Sequence, residues 1–113
     1  MAETLTKPIV EDVSLKDLKE GLADGSIVLV DVREPNEYAA GHIPGSSLNP
    51  LQSFNVDALP APQSGRRIVF SCRSGRRSIT ALGLAQQAGR DDIRAHYPGG
   101  ILGWTGAGEP VDY

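Results

Sequence analysis

Cysteine is almost absent from this sequence, since Cys72 is the only one in 113 residues. An internal disulfide is therefore excluded, and a single thiol fits an intracellular protein best. Histidine is scarce as well, because only His42 and His96 occur. With two histidines and one cysteine, the sequence supports neither a structural zinc site nor a redox Cys-x-x-Cys pair, and we expect no metal.

Long apolar runs are also missing. The first eight residues lack the basic start and the apolar stretch of a secretory signal, and no apolar run approaches the length that spans a membrane. We therefore expect a soluble, cytoplasmic protein without a membrane partner. We also expect residues 1–113 to form one domain, with residues 1–8 as a poorly ordered N-terminal segment.

Carboxylates are missing from one stretch, since none occurs between Asp57 and Asp91. Five of the eleven Lys and Arg residues fall between Arg66 and Arg77 inside this stretch, although the chain has a net charge of −3. The positive potential is thus concentrated around Cys72, which favours a thiolate and small anionic substrates. The pI of about 5.2 argues against general binding of nucleic acid, so we expect no such partner.

Apolar periodicity predicts strands that alternate with helices. The predicted strands are 9–13, 27–32, 68–71 and 93–97, with a short extended piece at 46–49. The predicted helices are one that begins after Ser14 and is brought to an end by Gly21 and Gly25, a short one at 34–41 and one at 78–88. This alternation predicts an α/β fold with a mainly parallel central sheet, flanked by helices on both faces.

Polar side chains follow two of the predicted strands. Asp31 and Arg33 come at the end of the strand 27–32, and Cys72 directly follows the strand 68–71. Ligands of parallel sheets bind beyond the carboxyl ends of the strands. We therefore expect these three residues to share one crevice.

The segment CRSGRRS, residues 72–78, connects a predicted strand to a predicted helix. In such a loop the backbone N–H groups surround one point at the helix N-terminus, which makes an anion site. Ser74, Gly75 and Ser78 suit a tight loop, an anion or a helix cap. We therefore regard Cys72 as a candidate nucleophile. The alternative is an inert, buried cysteine beside a solvated basic loop, which would not call for these three residues.

Three segments in a fixed order carry a resemblance to a known family. They are DVREPNEY at 31–38 continuing through GHIPG at 41–45, the loop CRSGRRS at 72–78, and GGILGW at 99–104 continuing through GEPV at 108–111. In these motifs and over nearly its whole length, the chain resembles the rhodanese family of single-domain sulfurtransferases. The resemblance implies a single rhodanese-like domain.

The resemblance implies that Cys72 takes the sulfane sulfur of a donor such as thiosulfate as a persulfide and passes it to a nucleophile such as cyanide or a thiol. This is two-step covalent catalysis, and no metal or organic cofactor is implied. The backbone amides of the loop would hold the leaving group or the persulfide. The implied substrate-binding residues are Arg73, Ser74, Gly75, Arg76, Arg77 and Ser78.

The side chains around the loop leave several interpretations open. Among the arginines, we expect Arg73 and Arg76 to point into the pocket, whereas Arg77 opens the helix and is a candidate to pair with a carboxylate. Asp31 and Arg33 support the site either as an ion pair that fixes the crevice wall or with Arg33 binding substrate directly.

The two histidines receive no catalytic role from the sequence. We interpret His42 as a structural residue rather than a general base, because a thiolate already activated by its loop needs no base. We place His96 on the outward side of its strand and assign it no role.

Other functions remain open. A Cys-based phosphatase or arsenate reductase needs arginine six residues after the cysteine, where this chain has Ser78 and has Arg77 one place too early. A sulfur-relay module with protein donors and acceptors would contain the same Cys72, and exposed arginines would dock an acidic partner. A catalytically inactive regulatory domain is disfavoured by the presence of Cys72.

Overall fold

Five parallel strands form one sheet in the computed structural model, which describes residues 7–113. In chain order the elements are β1 Glu11–Asp12, α1 Leu15–Asp24, β2 Ile27–Asp31, α2 Pro35–Ala39, β3 Ser47–Leu48, β4 Arg67–Ser71, α3 Arg76–Gln87, β5 Ala95–His96 and α4 Gly100–Gly106, with 3₁₀ turns at Leu51–Ser53, Val56–Ala58 and Pro62–Ser64. The strand order in the sheet is β1-β5-β4-β2-β3. The predicted α/β class with a parallel sheet is confirmed.

Two apolar layers cover the sheet. One face carries Phe70 and Ile68 of β4 against Leu82 of α3. The opposite face carries Val69 of β4 and Leu29 of β2, together with Leu18 of α1 and Trp104 of α4. Alternate residues of β4 therefore enter different cores, as expected for a strand covered on both sides. Helices lie on both faces, as the sequence predicts.

The first helix shows how local sequence sets its ends. The Ser14 hydroxyl accepts a hydrogen bond from the Asp17 amide, and Gly25 ends the helix in a left-handed conformation with φ 79°. Gly21, which the sequence analysis counted as part of the stop, lies inside the helix instead. A Cβ on Gly21 would collide with the Ile27 side chain, so this glycine lets α1 approach β2 closely.

Several predicted elements have different bounds in the structure, and the strand expected at 9–13 is reduced to β1. The strand expected at 93–97 is reduced to β5, and α3 begins at Arg76 rather than Ser78 because Gly75, with φ 94°, is its N-cap. Gly100–Gly106 forms α4, where the sequence indicated only a closing segment. No helix of residues 7–113 is long and apolar enough to cross a membrane. The expectation about residues 1–8 falls mainly outside the described part of the chain.

The register of β2 and β4 positions the candidate site. Asp31 lies beside Ser71 at the carboxyl ends of these neighbouring strands. Arg33 follows Asp31 by two residues and Cys72 follows Ser71 by one, at the same edge of the sheet. The fold therefore brings together the residues that the sequence places in one crevice.

Candidate active site

The Cys72 sulfur lies inside the loop between β4 and α3. Cys72 is 1 % exposed. The backbone amides of Gly75 and Ser78 donate hydrogen bonds to Sγ over 3.1 and 3.4 Å, and Ser78 Oγ lies 3.6 Å from Sγ. The groups nearest the sulfur are thus two N–H donors and one hydroxyl, which together stabilise an anionic sulfur.

These contacts act on the ionisation of Cys72 in opposite directions. Burial raises the pKa of the Cys72 thiol, because the charged form is desolvated. Hydrogen bonds from the Ser78 side chain and from the amides of Ser78, Ser74 and Gly75 lower it. The hydrogen bonds outweigh burial, so the pKa lies below the usual value of a thiol.

Gly75 and Gly100 make the shape of the loop possible. Gly75 has φ 94°, and a Cβ there would lie 2.7 Å from the carbonyl oxygen of Pro98. Gly100 has φ 59°, and a Cβ there would collide with the carbonyl oxygens of Cys72 and Arg73. Residues with a side chain rarely adopt such φ values, so both positions require glycine.

The start of α4 orients the peptide groups of the loop. The amides of Ile101 and Leu102 donate to the carbonyl oxygens of Cys72 and Arg73 over 2.9 and 3.2 Å. The loop carbonyls are therefore bonded to α4, while the loop amides of Gly75 and Ser78 remain directed at the sulfur. This contact explains why the glycines at 99–100 matter to a site formed by residues 72–78.

Arg33 and Asp31 form a buried ion pair. Arg33 Nη2 donates to Asp31 Oδ2 over 2.8 Å, and Nε lies 3.0 Å from both carboxylate oxygens. Nη2 also donates to the carbonyl oxygen of Gly41 over 2.8 Å. Both residues are 4 % exposed. The geometry favours the structural interpretation, in which the pair joins β2 to the segment at 41–45.

Arg77 also forms an ion pair. Its Nη1 and Nη2 donate to the two carboxylate oxygens of Glu37 in α2, over 2.7 and 3.0 Å. The hydrogen bond from Arg77 lowers the pKa of Glu37 to about 2, and the same contact raises the pKa of Arg77. An anionic donor would have to compete with Glu37 for this guanidinium. Arg77 is thus bound to a carboxylate of the protein, the alternative that the sequence analysis named for it.

A crevice of about 430 Å³ lies beside the loop. It is lined by the charged residues Arg33, Glu37 and Arg73 and by an apolar wall that includes Ile101, Leu102, Val111 and Tyr113. Arg73 thus faces the crevice, as expected. Arg76 is exposed and is not among the lining residues, so the structure separates two arginines that the sequence treated alike.

His42 makes the contacts of a structural residue. Its ring stacks on Tyr38 with 3.7 Å between centroids, and Nδ1 lies 2.9 Å from the Tyr38 carbonyl oxygen. Its backbone pairs with Asp112 in an isolated bridge. These contacts agree with the role expected from the sequence.

His96 contradicts its expected position. It is 2 % exposed, and its Nδ1 lies 2.7 Å from Ser78 Oγ while Nε2 lies 3.1 Å from Asp12 Oδ1. The prediction that His96 faces outward is wrong, because β5 lies between β1 and β4 and packs against α3. In a sheet covered on both faces, alternation along a strand does not separate an inner from an outer side.

The arrangement is suited to nucleophilic chemistry at one sulfur. A thiolate held by amides can attack an electrophile, and the same amides can stabilise the negative charge of a covalent product. Within residues 7–113, no group of three or more His, Cys, Asp and Glu side chains is placed to hold a metal ion.

Comparisons with known proteins identify relatives of this chain. Residues 14–107 match the family model of the rhodanese-like domain. The chain is 34 % identical to the thiosulfate:glutathione sulfurtransferase of Saccharomyces cerevisiae, over 88 % of this chain and 81 % of that protein. It is 33 % identical to a sulfurtransferase of Allochromatium vinosum, over 91 % and 95 % of the two chains.

Similarity extends to solved structures. The human single-domain sulfurtransferase superimposes with a TM-score of 0.69 at 30 % identity, over 84 % of this chain and 95 % of that one. Together with the relatives above, it supports a sulfurtransferase activity in general. The family model covers most of the chain and spans β2, the Cys72 loop and α4. The chain belongs to the rhodanese-like domain family.

Proposed function

We propose that this protein is a thiosulfate sulfurtransferase that carries the transferred sulfur as a persulfide on Cys72. The observation that carries the proposal is the set of donors around Sγ, in which the amides of Gly75 and Ser78 and the Ser78 hydroxyl converge on one buried atom. We further propose a cytoplasmic location, which the single unpaired thiol favours.

The reaction has two half-reactions. The Cys72 thiolate attacks the sulfane sulfur of thiosulfate, a sulfur–sulfur bond forms to the enzyme, and the sulfane–sulfonate bond breaks to release sulfite. Cyanide or a thiolate then attacks the terminal sulfur, which leaves as thiocyanate or a persulfide and regenerates the Cys72 thiolate. The loop amides stabilise the anionic sulfur before and after each transfer.

The position of Ser78 argues against a phosphatase. Six residues after the cysteine, where that chemistry needs arginine, the chain has a serine whose amide bonds Sγ and whose hydroxyl contacts Sγ and His96. Arg77, one place earlier, is bound to Glu37. The loop therefore has no arginine at the position that phosphatase chemistry requires.

A protein acceptor is the second candidate, and a specific surface favours it. Leu102 is 47 % exposed and Tyr113 is 84 % exposed, and both line the crevice with Arg73. Arg76 is exposed outside it. An acidic partner with an apolar contact residue would fit this surface, and sulfur would pass from Cys72 to a thiol of that partner.

Intact-protein mass spectrometry tests the proposal. Incubation with thiosulfate should add one sulfur atom at Cys72, and cyanide should remove it with release of thiocyanate. Cys72→Ser should show neither the added sulfur nor turnover, because the hydroxyl is a far weaker nucleophile at neutral pH. Wild-type turnover by Cys72→Ser, or an unmodified wild-type protein after thiosulfate, would remove the proposal.

A further inference from the structure

A continuous line of hydrogen-bonding atoms leads from the buried sulfur to the protein surface. Cys72 Sγ lies 3.6 Å from Ser78 Oγ, Ser78 Oγ lies 2.7 Å from His96 Nδ1, and His96 Nε2 lies 3.1 Å from Asp12 Oδ1. Cys72, Ser78 and His96 are at most 2 % exposed, whereas the Asp12 side chain is 71 % exposed. The proposed nucleophile is thus linked to water through one hydroxyl and one imidazole.

The donors and acceptors along this line depend on the state of the sulfur. An ionised Asp12 only accepts, so His96 Nε2 carries a proton and donates to it. If Cys72 is a thiolate, the Ser78 hydroxyl donates to Sγ, and its oxygen accepts from His96 Nδ1. Both ring nitrogens are then protonated, which makes His96 an imidazolium. If Cys72 is a thiol, it donates to Ser78 Oγ, the hydroxyl donates to Nδ1, and the imidazole is neutral.

We propose that Ser78, His96 and Asp12 are positioning residues for the ionisation of Cys72, in which Ser78 relays the thiol proton to His96 and Asp12 stabilises the protonated imidazole. The S–H bond breaks as an O–H bond forms at Ser78, and the original Ser78 O–H bond breaks as an N–H bond forms at His96 Nδ1. The products are a thiolate and an imidazolium, and Asp12 accepts from the imidazolium at Nε2. The step changes no oxidation state and needs no other reactant. Its catalytic consequence rests on the proposed function, whereas the ionisation itself does not.

The charged groups around His96 leave Asp12 as its ionic partner. The elements packed against β5 are β1, β4 and α3. Of the other charged residues in these elements, Glu11 and Arg67 pair with each other over 3.2 Å. Arg77 pairs with Glu37, and Arg76 is exposed. In β5 and the residue before it, Arg94 donates to the Asp91 carbonyl oxygen. The Asp12 carboxylate is therefore the group that stabilises the positive charge of the His96 imidazolium.

This proton route is separate from the crevice. Neither Asp12, Ser78 nor His96 is among the residues that line the crevice, which reaches the loop through Arg73. An anionic donor would approach from the side of Arg73, while the thiol proton leaves towards the sheet edge at β1. The two movements do not obstruct one another.

The pH of half-maximal alkylation of Cys72 by iodoacetamide tests the relay in full-length protein. His96→Asn is the critical variant, because its amide can still donate to Ser78 Oγ but cannot hold an additional proton. The relay predicts that this midpoint rises by about one pH unit in His96→Asn, as when a nearby opposite charge is lost. Asp12→Asn should raise it less, because Asp12 is exposed. His42→Asn is the matched control and should leave the midpoint unchanged.

A wild-type midpoint in His96→Asn would overturn the relay and leave His96 as a packing residue that holds Ser78. A second measurement needs no variant and therefore does not depend on folding. In ¹⁵N-labelled wild-type protein, the titration of the His96 ring nitrogens should move to lower pH once Cys72 is alkylated, because the thiolate that stabilises the imidazolium is gone. An unchanged His96 titration would also overturn the proposal. Thiosulfate turnover is measured in parallel, so that an inactive protein with a coupled Cys72–His96 titration would reject the proposed function and retain the relay.

Discussion

The inner and outer sides of the Cys72 loop differ in the kind of positive charge that they present. The inner side offers the partial charges of the Gly75 and Ser78 amides, at 3.1 and 3.4 Å from the sulfur. The outer side carries full charges, and these are either paired, as in Arg77 with Glu37, or exposed, as in Arg76. Oriented amides therefore stabilise the sulfur anion, whereas the proposed role of the arginines is to attract an anionic donor.

This division has a physical reason. An arginine at the sulfur would need a space for its guanidinium and would hold a thiolate in a fixed ion pair. Amides oriented by α3 and by the contact with α4 occupy no additional volume and need no reorganisation during transfer. Substitution of Gly100 tests the amides on the inner side of the loop. Substitution of single arginines tests the charges on the outer side, and substitution of Glu37 removes the ion pair that joins the loop to α2.

Gly100→Ala should have the largest effect. A Cβ there would collide with the carbonyl oxygens of Cys72 and Arg73, and the positive φ adds a penalty of about 1–2 kcal/mol. If the loop shifts, the amides no longer converge on the sulfur, and kcat for thiosulfate should fall by about a hundredfold, as after loss of an oxyanion donor. Steady-state kinetics and urea unfolding check both effects.

Gly106→Ala is the matched control within the same helix. A Cβ at Gly106 would meet nothing within 4 Å, and this glycine is not among those with a positive φ. Its kinetics and stability should stay close to wild type. If Gly100→Ala behaved in the same way, the claim that α4 orients the loop would be wrong.

The arginines should differ from one another with anionic donors. Arg73 lines the crevice, so Arg73→Ala should lower kcat/KM for thiosulfate by about tenfold to a hundredfold, the equivalent of about 1.5–3 kcal/mol for a hydrogen bond to a charged group. Arg76→Ala should have a smaller effect. Arg66→Ala is the control, because its Nε bonds the Gly25 carbonyl oxygen away from the loop. Equal losses in Arg73→Ala and Arg76→Ala would show that general attraction, not position, governs donor binding.

Removal of the Arg77–Glu37 pair should have the smallest effect. Glu37→Gln keeps an oxygen for the capping bond with the Glu34 amide and loses the charge. Because the pair is partly exposed, the loss of stability near pH 7 should be about 1 kcal/mol or less. The pKa of Glu37 is lowered from 4.5 to about 2, so this contribution is fully present above pH 4.5 and disappears as the pH falls towards 2. Urea unfolding of both proteins between pH 7 and 2 measures it, and a difference that grows on acidification would contradict this account.

The sequence predicts the sheet and the loop well because their signals are local. The apolar segment at 27–32, the position of Cys72 after β4 and the stop at Gly25 each depend on neighbouring residues. Asp31 and Arg33 are two residues apart, so their pairing at the end of β2 also follows from local geometry.

The remaining features depend on contacts between distant residues. α4 is rich in glycine, and its start bonds the carbonyls of Cys72 and Arg73, so tertiary contacts outweigh its poor helix propensity. His96 is buried because β1 and α3 cover β5, and its partners Asp12 and Ser78 lie far away in the sequence. His96 lies within the predicted strand 93–97, and the residues next to it in the sequence do not indicate either contact.

The ionisation of Cys72 tests most directly whether the inner side of the loop stabilises the sulfur anion. The rate of alkylation against pH should give a midpoint below the value of about 8.5 for a free thiol. It should stay below that value in Arg73→Ala and Arg76→Ala, because the amides and the Ser78 hydroxyl lower the pKa of Cys72 without those side chains. A wild-type midpoint at or above 8.5, or a rise to 8.5 when Arg73 or Arg76 is removed, would contradict the account.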